Sequence, residues 1–413
     1  MLALCDCDNF FVSCERLYRP ELRSRPVVVL SNNDGCIVSR SAEVKAMGIP
    51  MGQPYFQIQG LLRKKGVAVC SGNLVMYKEV SMKVMKLLSR FTGGMEEYSI
   101  DEAFLSLPVA AEDPLGYVSG IRAKVESWIG IPVSIGVAAT KTLSKLATEM
   151  AKKDASGVME ITGRNARDVL DNTGIGDIWG IGRKTAEALN RDGIYSAGHF
   201  VDRDSVWVKR RLTVRGLMTQ LELKGQPCLP IVAGTAPPKS IQVSRTWGNV
   251  LESFEDVCLA MTDNVVKAAR QLRQDNLAAR GMSVFLRHGY RHHGEHGYIE
   301  NDVYFDSPAQ CDIELIGAVK SLLGKIYRPG HGYTQGGVTL RDFSDARFRQ
   351  RELFDEGGYE RRSKLERFSR AVDEINGHFG ERAIFPASLA VKDKKWRPNR
   401  KHLSEKRGGF VNG

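Results

Sequence analysis

Asp101 and Glu102 sit side by side in Ser99-Ile100-Asp101-Glu102-Ala103-Phe104, between two runs of strand-like composition. Successive side chains of a strand point to opposite faces, so a tight bend is needed for both carboxylates to reach one metal site. Neighbouring acids that stay ionised repel each other, and a bound cation offsets the repulsion. An exposed acidic hairpin turn is the competing reading of the same residues. A third acid, Asp6, ends the apolar run Leu2-Ala3-Leu4-Cys5, and Asp8 follows it. A carboxylate at the end of a buried strand is costly unless it is paired or holds a metal. Either acid also suits the N-cap of a helix opening at Asn9-Phe10-Phe11. The residues alone leave ligand and cap open.

Basic residues that would complement such a site recur downstream. Lys45 lies on a short helical stretch, Ser41 to Met47, that stops at Gly48-Ile49-Pro50. Thr140 is placed to cap a helix from Lys141 to Lys152, with Leu143, Leu146 and Met150 toward the core. Lys141, Lys145 and Lys152 share a different face of that helix. Such a stripe is either a solvated face or, beside carboxylates, a grip on a triphosphate. Gly180-Ile181-Gly182-Arg183-Lys184 joins an apolar element, Ile175 to Trp179, to a helix ending near Arg191. Glycines at a helix start expose backbone N–H groups to an anion, and the helix dipole adds to this. The arrangement matches a helix-hairpin-helix element, which holds a phosphodiester without reading bases. It is not a dinucleotide-binding loop, because no strand precedes it and the third glycine is absent. The histidines between Arg287 and His296 lack a rigid ligand spacing and read as an exposed basic loop rather than a metal site.

Positioning these groups takes a large fold, and 413 residues allow two to four domains. A composition of 42% hydrophobic and 26% charged residues is globular. The formal net charge of +11 favours a polyanionic partner, nucleic acid first. Eight scattered cysteines without a C-x-x-C pair exclude a zinc ribbon or a thioredoxin-type site. The start has no basic n-region and does not read as a signal peptide. No apolar run approaches membrane-spanning length. These features predict a reducing cytosol. Leu2–Cys7, Pro26–Ser31, Cys36–Ser39, the flanks of Asp101-Glu102, and Val133–Ala138 read as strands. Asn32-Asn33-Asp34-Gly35 reads as a turn. Tyr77–Phe91 reads as a helix. A second helix opens at Pro114 with the stripe Leu115, Val118, Ile121, Val125 and Trp128. Two helices on a four-stranded sheet predict an α+β, ferredoxin-like core.

Gly234 to Lys239 has the composition of a linker. Strands at Ser240–Val250, Met282–His288, Gly297–Phe305 and Gly336–Phe343, with helices at Phe254–Arg273 and Pro308–Tyr327, predict a second α+β domain. From Ser344 the core signals fade. Gln350-Arg351-Glu352-Leu353-Phe354 reads as a groove-docking peptide. The basic end predicts partial disorder, with Trp396 as an anchor.

In this order, Asp6, Lys45, Ser99-Ile100-Asp101-Glu102-Ala103, Lys145, Lys152 and Gly180-Ile181-Gly182 resemble the Y-family DNA polymerases, most of all the UmuC type, the catalytic subunit of bacterial DNA polymerase V. The likeness runs through Asn32–Cys36, Ala42–Gly48, Lys141–Ala147 and Trp179–Arg183, and covers roughly residues 1 to 345. It implies an α+β right-hand polymerase. The palm would be residues 1–30 and 73–165, ferredoxin-like; the small fingers 31–72; the helical thumb with its helix-hairpin-helix 166–232. An α+β little finger would follow at 240–345, then a tail at 346–413 with a clamp-binding peptide.

The same resemblance implies two Mg²⁺ ions held by Asp6, Asp101 and Glu102 with the Cys7 carbonyl. Lys45 and Lys152, with Arg40, would contact the nucleotide phosphates. Phe11 would be the steric gate against the ribose 2′-hydroxyl, a place where tyrosine is usual in this group. Ala42 replaces a tyrosine that other branches set beside the triphosphate. Lys145, Gly180, Gly182, Arg183 and Lys184 would face DNA, and Gln350, Leu353 and Phe354 the sliding clamp. Implied partners are primer-template DNA, dNTPs, the clamp, a dimeric UmuD-type accessory protein and a RecA filament, with no membrane. The implied activity is error-prone, template-directed translesion synthesis in the SOS response, in the cytoplasm. A non-catalytic DNA-binding recruitment subunit and a metal-dependent nuclease are the alternatives. The first has no need of three buried acids, and the second none of the lysine face or the gate.

Overall fold

The computed structural model describes residues 1–108, 113–232, 234, 238–289, 297–348, 358–380 and 382–403. The chain divides into two compact units, Met1–Thr235 with Lys401–Gly413, and Ala236–Arg400. Both are α+β.

In the first unit the apolar run Leu2–Cys7 forms β1. Val27–Leu30 (β2), Ile37–Arg40 (β3) and Ala68–Ser71 (β4) make a small sheet ordered β3-β2-β4, in which β2 and β4 are parallel. Met95–Glu97 (β5), Glu102–Ser106 (β6), Val133–Ala138 (β7) and Val158–Glu160 (β8) join β1 in a sheet ordered β5-β6-β1-β7-β8. The expected four strands are therefore five. Val158–Glu160 is too short to show alternation and is a strand only through parallel pairing with β7.

Alternation sorts the two faces of β1. Ala3, Cys5 and Cys7 pack with Tyr77, Val80 and Val84 of the helix Leu74–Leu88 and with Val118, Ile121 and Val125 of the helix Pro114–Ile129. Trp128, expected in that stripe, is 63% exposed. It stands at the helix end, where a large amphipathic ring tolerates water. The other face of β1 carries Leu4 and Asp6. The helix Lys141–Ala151, capped by Thr140 as expected, lies against it, and the Thr148 hydroxyl donates to the Leu4 carbonyl at 3.1 Å. Gly136 on β7 permits this approach, because a Cβ there would stand 2.1 Å from the Thr148 backbone nitrogen. Four further helices, Ala166–Asp171, Arg183–Arg191, Ala197–Val201 and Ser205–Leu223, share a core with Leu143 and Leu146. Glu222, fully buried, accepts backbone N–H groups from Thr142, Cys228 and Leu229.

The second unit holds Ser240–Leu251 (β9), Leu277–His288 (β10), Gly297–Ala309 (β11) and Tyr333–Asp345 (β12), antiparallel in the order β11-β10-β12-β9. The helices Phe254–Gln274 and Asp312–Ile326 share its core. The second starts at Asp312 rather than Pro308, because Ser307-Pro308-Ala309 continue β11.

The basic end, for which partial disorder is expected, is described only as far as residue 403; ahead of it lies a helix where the core signals fade. Gly358–Phe379 is a helix. The Arg273 guanidinium, 4% exposed, reaches Asp373 at 2.6 and 2.9 Å and Asp312 at 2.8 Å. Arg382 reaches Asp263 at 2.8 Å, and Trp396 is buried in the core of this unit, as its anchor role predicts. Local composition missed the helix because its partner charge lies 100 residues upstream. Gln350, Leu353 and Phe354 lie outside the described residues, as do 290–296 of the histidine-rich loop. All eight cysteines are free. Among the described residues no helix is long and apolar enough to cross a membrane.

Removing a buried cation leaves two carboxylates uncompensated, which costs about 3–5 kcal/mol. Arg273→Ala should therefore lower the melting temperature of the full chain by several degrees, and Arg273→Lys should recover part of the loss. An unchanged melting curve for Arg273→Ala would show that the helix is held by other contacts.

Candidate active site

β1 and β6 are neighbouring antiparallel strands, and their register sets Asp6 directly opposite Glu102. Residues so paired have Cα atoms about 4.5–5.5 Å apart. Asp101 precedes β6 in a bend. Its carbonyl accepts the Cys7 N–H at 2.9 Å, and its carboxylate accepts the Ser99 hydroxyl at 2.6 Å. The bend thus ties Asp101 to the end of the strand that carries Asp6. Burial pushes the Asp6 carboxyl up to about 6 against the pull of Lys152, and the Asp101 and Glu102 charges add to the rise. Neither early acid caps the following helix. Asn9 enters it in a left-handed conformation without a side-chain cap, and the Asp8 carboxylate accepts the Ser134 hydroxyl at 2.9 Å.

The lysine face is not a solvated stripe. Lys145 Nζ meets both Glu102 oxygens at 3.0 Å. Lys152 Nζ meets Asp6 at 2.9 Å and Glu149 at 2.7 Å. Lys141 meets Glu96 at 2.6 Å with its side chain 5% exposed. Burial pulls the Lys152 ammonium down, but Asp6 and Glu149 outweigh it and hold it above its ordinary value. At neutral pH Asp6 is ionised and Lys152 protonated, so the pair stands. Sequence reading missed the aromatic walls of Lys145. Its ammonium lies 4.5 Å from the Tyr98 ring centroid and 5.4 Å from that of Trp179, and the Trp179 indole N–H donates to the Tyr98 hydroxyl at 3.3 Å. The available signal was adjacency: Tyr98 precedes Ser99 and Trp179 precedes Gly180 in the two motifs.

Phe11 stacks on Tyr77 with centroids 4.6 Å apart and planes 16° apart, and the Tyr77 hydroxyl donates to buried Glu15 at 2.7 Å. Lys45 is exposed, and its charge acts on Asp8. Arg40 donates to the Ile49 carbonyl, leaving its Nε buried without a partner. Gly180 has φ +88°, a conformation glycine adopts without strain. It borders a cavity of about 750 Å³ that Arg211 and Arg215 also line. Gly182 precedes the helix Arg183–Arg191, and Arg183 and Lys184 are exposed at its start.

Three clustered carboxylates are hard oxygen donors of the kind Mg²⁺ takes. Burial is the main cause of the raised Asp6, and a bound cation compensates a desolvated carboxylate, so the donor set fits a divalent metal. Their oxygens face Lys145, Lys152 and Ser99. Among the described residues no group of three or more His, Cys, Asp or Glu side chains stands in a ligating arrangement.

The chain matches the impB/mucB/samB family over residues 5–149, that family's C-terminal domain over 238–353, and a domain of unknown function, DUF4113, over 366–407. It is 33% identical to protein UmuC of Salmonella typhimurium, covering 98% of this chain and 97% of that one. It is 32% identical to protein ImpB of Salmonella typhimurium, covering 98% and 96%. A Y-family DNA polymerase chimera, Dbh-Dpo4(243-245)-Dbh, superposes with a TM-score of 0.67 at 20% identity, over 83% of this chain and 98% of that one.

The raised Asp6 has a pH consequence in metal-free solution. Its ordinary value is 3.8 and its folded value about 6, so the buried charge costs stability above pH 6 and the cost vanishes below about pH 4. Asp6→Asn should raise the melting temperature in EDTA at pH 8, by on the order of 1–3 kcal/mol of stability, and should have little effect near pH 4. A stabilisation equal at both pH values would contradict this.

Proposed function

The chain belongs to the impB/mucB/samB family and is a UmuC-type Y-family DNA polymerase, and on that premise we propose that Asp6, Asp101 and Glu102 are its nucleotidyl-transfer site. The enzyme is a DNA-directed DNA polymerase with the α+β right-hand fold. It carries out error-prone translesion synthesis in the SOS response, acts on DNA and uses a divalent metal. The observation that carries the site assignment is the register of β1 and β6, which sets Asp6 opposite Glu102 while Asp101 is tied to Cys7.

The three carboxylates, with the Cys7 carbonyl, would hold two Mg²⁺ ions. Bound there, the metals supply an activated primer 3′-hydroxyl and neutralise the triphosphate. The chain's own part is positioning and charge. Lys145 and Lys152 neutralise Glu102 and Asp6 until substrate arrives. Lys152, Lys45 and Arg40 then bind triphosphate oxygens. Phe11 excludes a 2′-hydroxyl, and its stack on Tyr77 denies the ring an easy retreat. Lys145 also stands ready to turn toward the DNA. Backbone N–H groups around Gly180 and Gly182, with Arg183 and Lys184, would grip a phosphodiester.

We assign residues 1–30 and 73–165 to the palm, 31–72 to fingers too small to close tightly on the nascent pair, 166–232 to the thumb, 240–345 to the little finger and 346–413 to the tail. Gln350, Leu353 and Phe354 are the proposed clamp contact, and a UmuD-type dimer and a RecA filament the proposed activators, in the cytoplasm. Incubating the protein with primer-template, Mg²⁺ and dNTPs separates this reading from its rivals. Extension supports it, degradation indicates a nuclease, and neither indicates a recruitment subunit.

In that assay Asp101→Ala should lose more than about 10³-fold in extension rate, the scale of removing a direct participant. Retained synthesis would remove Asp101 from the site. Phe11→Ala should raise ribonucleotide incorporation at least about tenfold, equivalent to about 1.4 kcal/mol of sugar discrimination. Unchanged sugar selection would exclude the gate.

A further inference from the structure

We propose that a basic pocket beside β4 binds a nucleotide-sized polyphosphate anion, independently of the carboxylate site. The pocket holds about 770 Å³, and none of its lining residues belongs to the carboxylate site. Small-molecule sites span about 300–1,000 Å³. Arg19, Arg25 and Arg63 line it together with His402, and among the described residues no carboxylate does. Gathering three guanidinium groups in one concavity costs repulsion that a polyanion removes, and their planar forks match phosphate oxygens. Of the three, among the described residues only Arg19 has an acidic partner, Glu21 at 3.0 Å. Arg25 donates to the Gly66 carbonyl at a long 3.4 Å. Arg63 has no partner among the described residues. It lies in the last turn of the helix Tyr55–Lys64, where the dipole favours one cation. That accounts for Arg63 but not for the other two.

Charge and volume select the ligand class. Three arginines less Glu21 leave a charge that two or more phosphates match. The cavity is far larger than a lone phosphate needs. Val67 and Val69 add apolar lining and Gln59 an amide that can hydrogen-bond a sugar or base, while the Tyr55 hydroxyl lies 3.5 Å from the His402 ring. A phosphate chain carried on a nucleoside has that mixture of charge, polarity and flat apolar surface. A free nucleotide and a stretch of single-stranded nucleic acid share this chemistry.

The pocket wall is completed by a segment distant in sequence. The His402 N–H donates to the Ser71 hydroxyl at 2.9 Å, and its carbonyl accepts the Ser71 N–H at 2.9 Å. The Lys401 N–H donates to Asp34 at 2.7 Å, and Leu403 pairs with Ser71 in parallel. The His402 and Tyr55 rings meet edge to face at 5.8 Å. Ligand binding and the docking of this segment are therefore linked, each favouring the other.

The test measures equilibrium binding of ATP, inorganic triphosphate and oligo(dT) to the full chain in excess EDTA. Wild-type protein should bind ATP and triphosphate. The double variant Arg25→Ala/Arg63→Ala should bind them at least about tenfold more weakly, the scale of losing one charged hydrogen bond, with primer extension unchanged. His402→Ala should weaken binding in the same direction. Lys45→Ala/Lys152→Ala should leave it intact, which places the binding outside the polymerase site. Competition by oligo(dT), itself lost in the Arg25/Arg63 variant, would identify strand phosphates as the source; its absence would identify free nucleotide. No binding by wild type, equal binding by the Arg25/Arg63 variant, or tighter binding by His402→Ala would overturn the proposal.

Discussion

Three carboxylates gathered where β1 ends and β6 begins repel one another, and the surrounding structure offsets that repulsion. Asp6 and Glu102 are forced together by the β1–β6 register, which the apolar faces of both strands hold in place. A slip of one residue would turn Asp6 into the core and a cysteine toward the lysine helix. The offset comes from that helix and its cap, where Lys145 takes Glu102 and Lys152 takes Asp6. Their reach depends on how closely the helix lies on the sheet, and Gly136 sets that distance by having no side chain. Backbone geometry and electrostatics are therefore one constraint in this unit. The ammonium groups act as internal counter-ions, which substrate phosphates and metal can displace because each pair retains some contact with solvent.

Much of this was legible in the chain. The apolar run before Asp6, the Thr140 cap, the lysine spacing and the glycine pair before Arg183 all predict their local structure. Helices and long strands show because their periodicity is local. What was illegible is mostly pairing at a distance. Lys141 looks like a surface lysine, and Glu96, 45 residues away, with the Phe104 ring under its ammonium, explains its burial. The aromatic walls of Lys145 come from Tyr98 and Trp179, 81 residues apart. Val158–Glu160 is a strand only because β7 offers it an edge. Composition also gave no sign of the helix Gly358–Phe379, whose Asp373 pairs with a buried guanidinium on another element.

The tail is instructive about a domain whose function is unassigned in other chains. Residues 366–407 match it, and here that stretch supplies Asp373 to Arg273, Arg382 to Asp263 and Trp396 to the core of the second unit. Each contact satisfies a buried or half-buried group of the sheet-and-helix layer. In this chain, part of what that stretch does is therefore to complete the packing of the second unit, to which it belongs up to Arg400.

β4 is the outermost strand of its small sheet, and Lys401–Leu403 lie along it. An uncovered outer strand is a template for pairing with a strand of another molecule. The covering segment is encoded 331 residues after Ser71. At bacterial elongation rates it would leave the ribosome roughly 20–70 s after the strand it protects. Throughout that interval the nascent chain carries a bare strand edge at β4, a place where crowded polysomes can seed aggregation and a chaperone has something to shield.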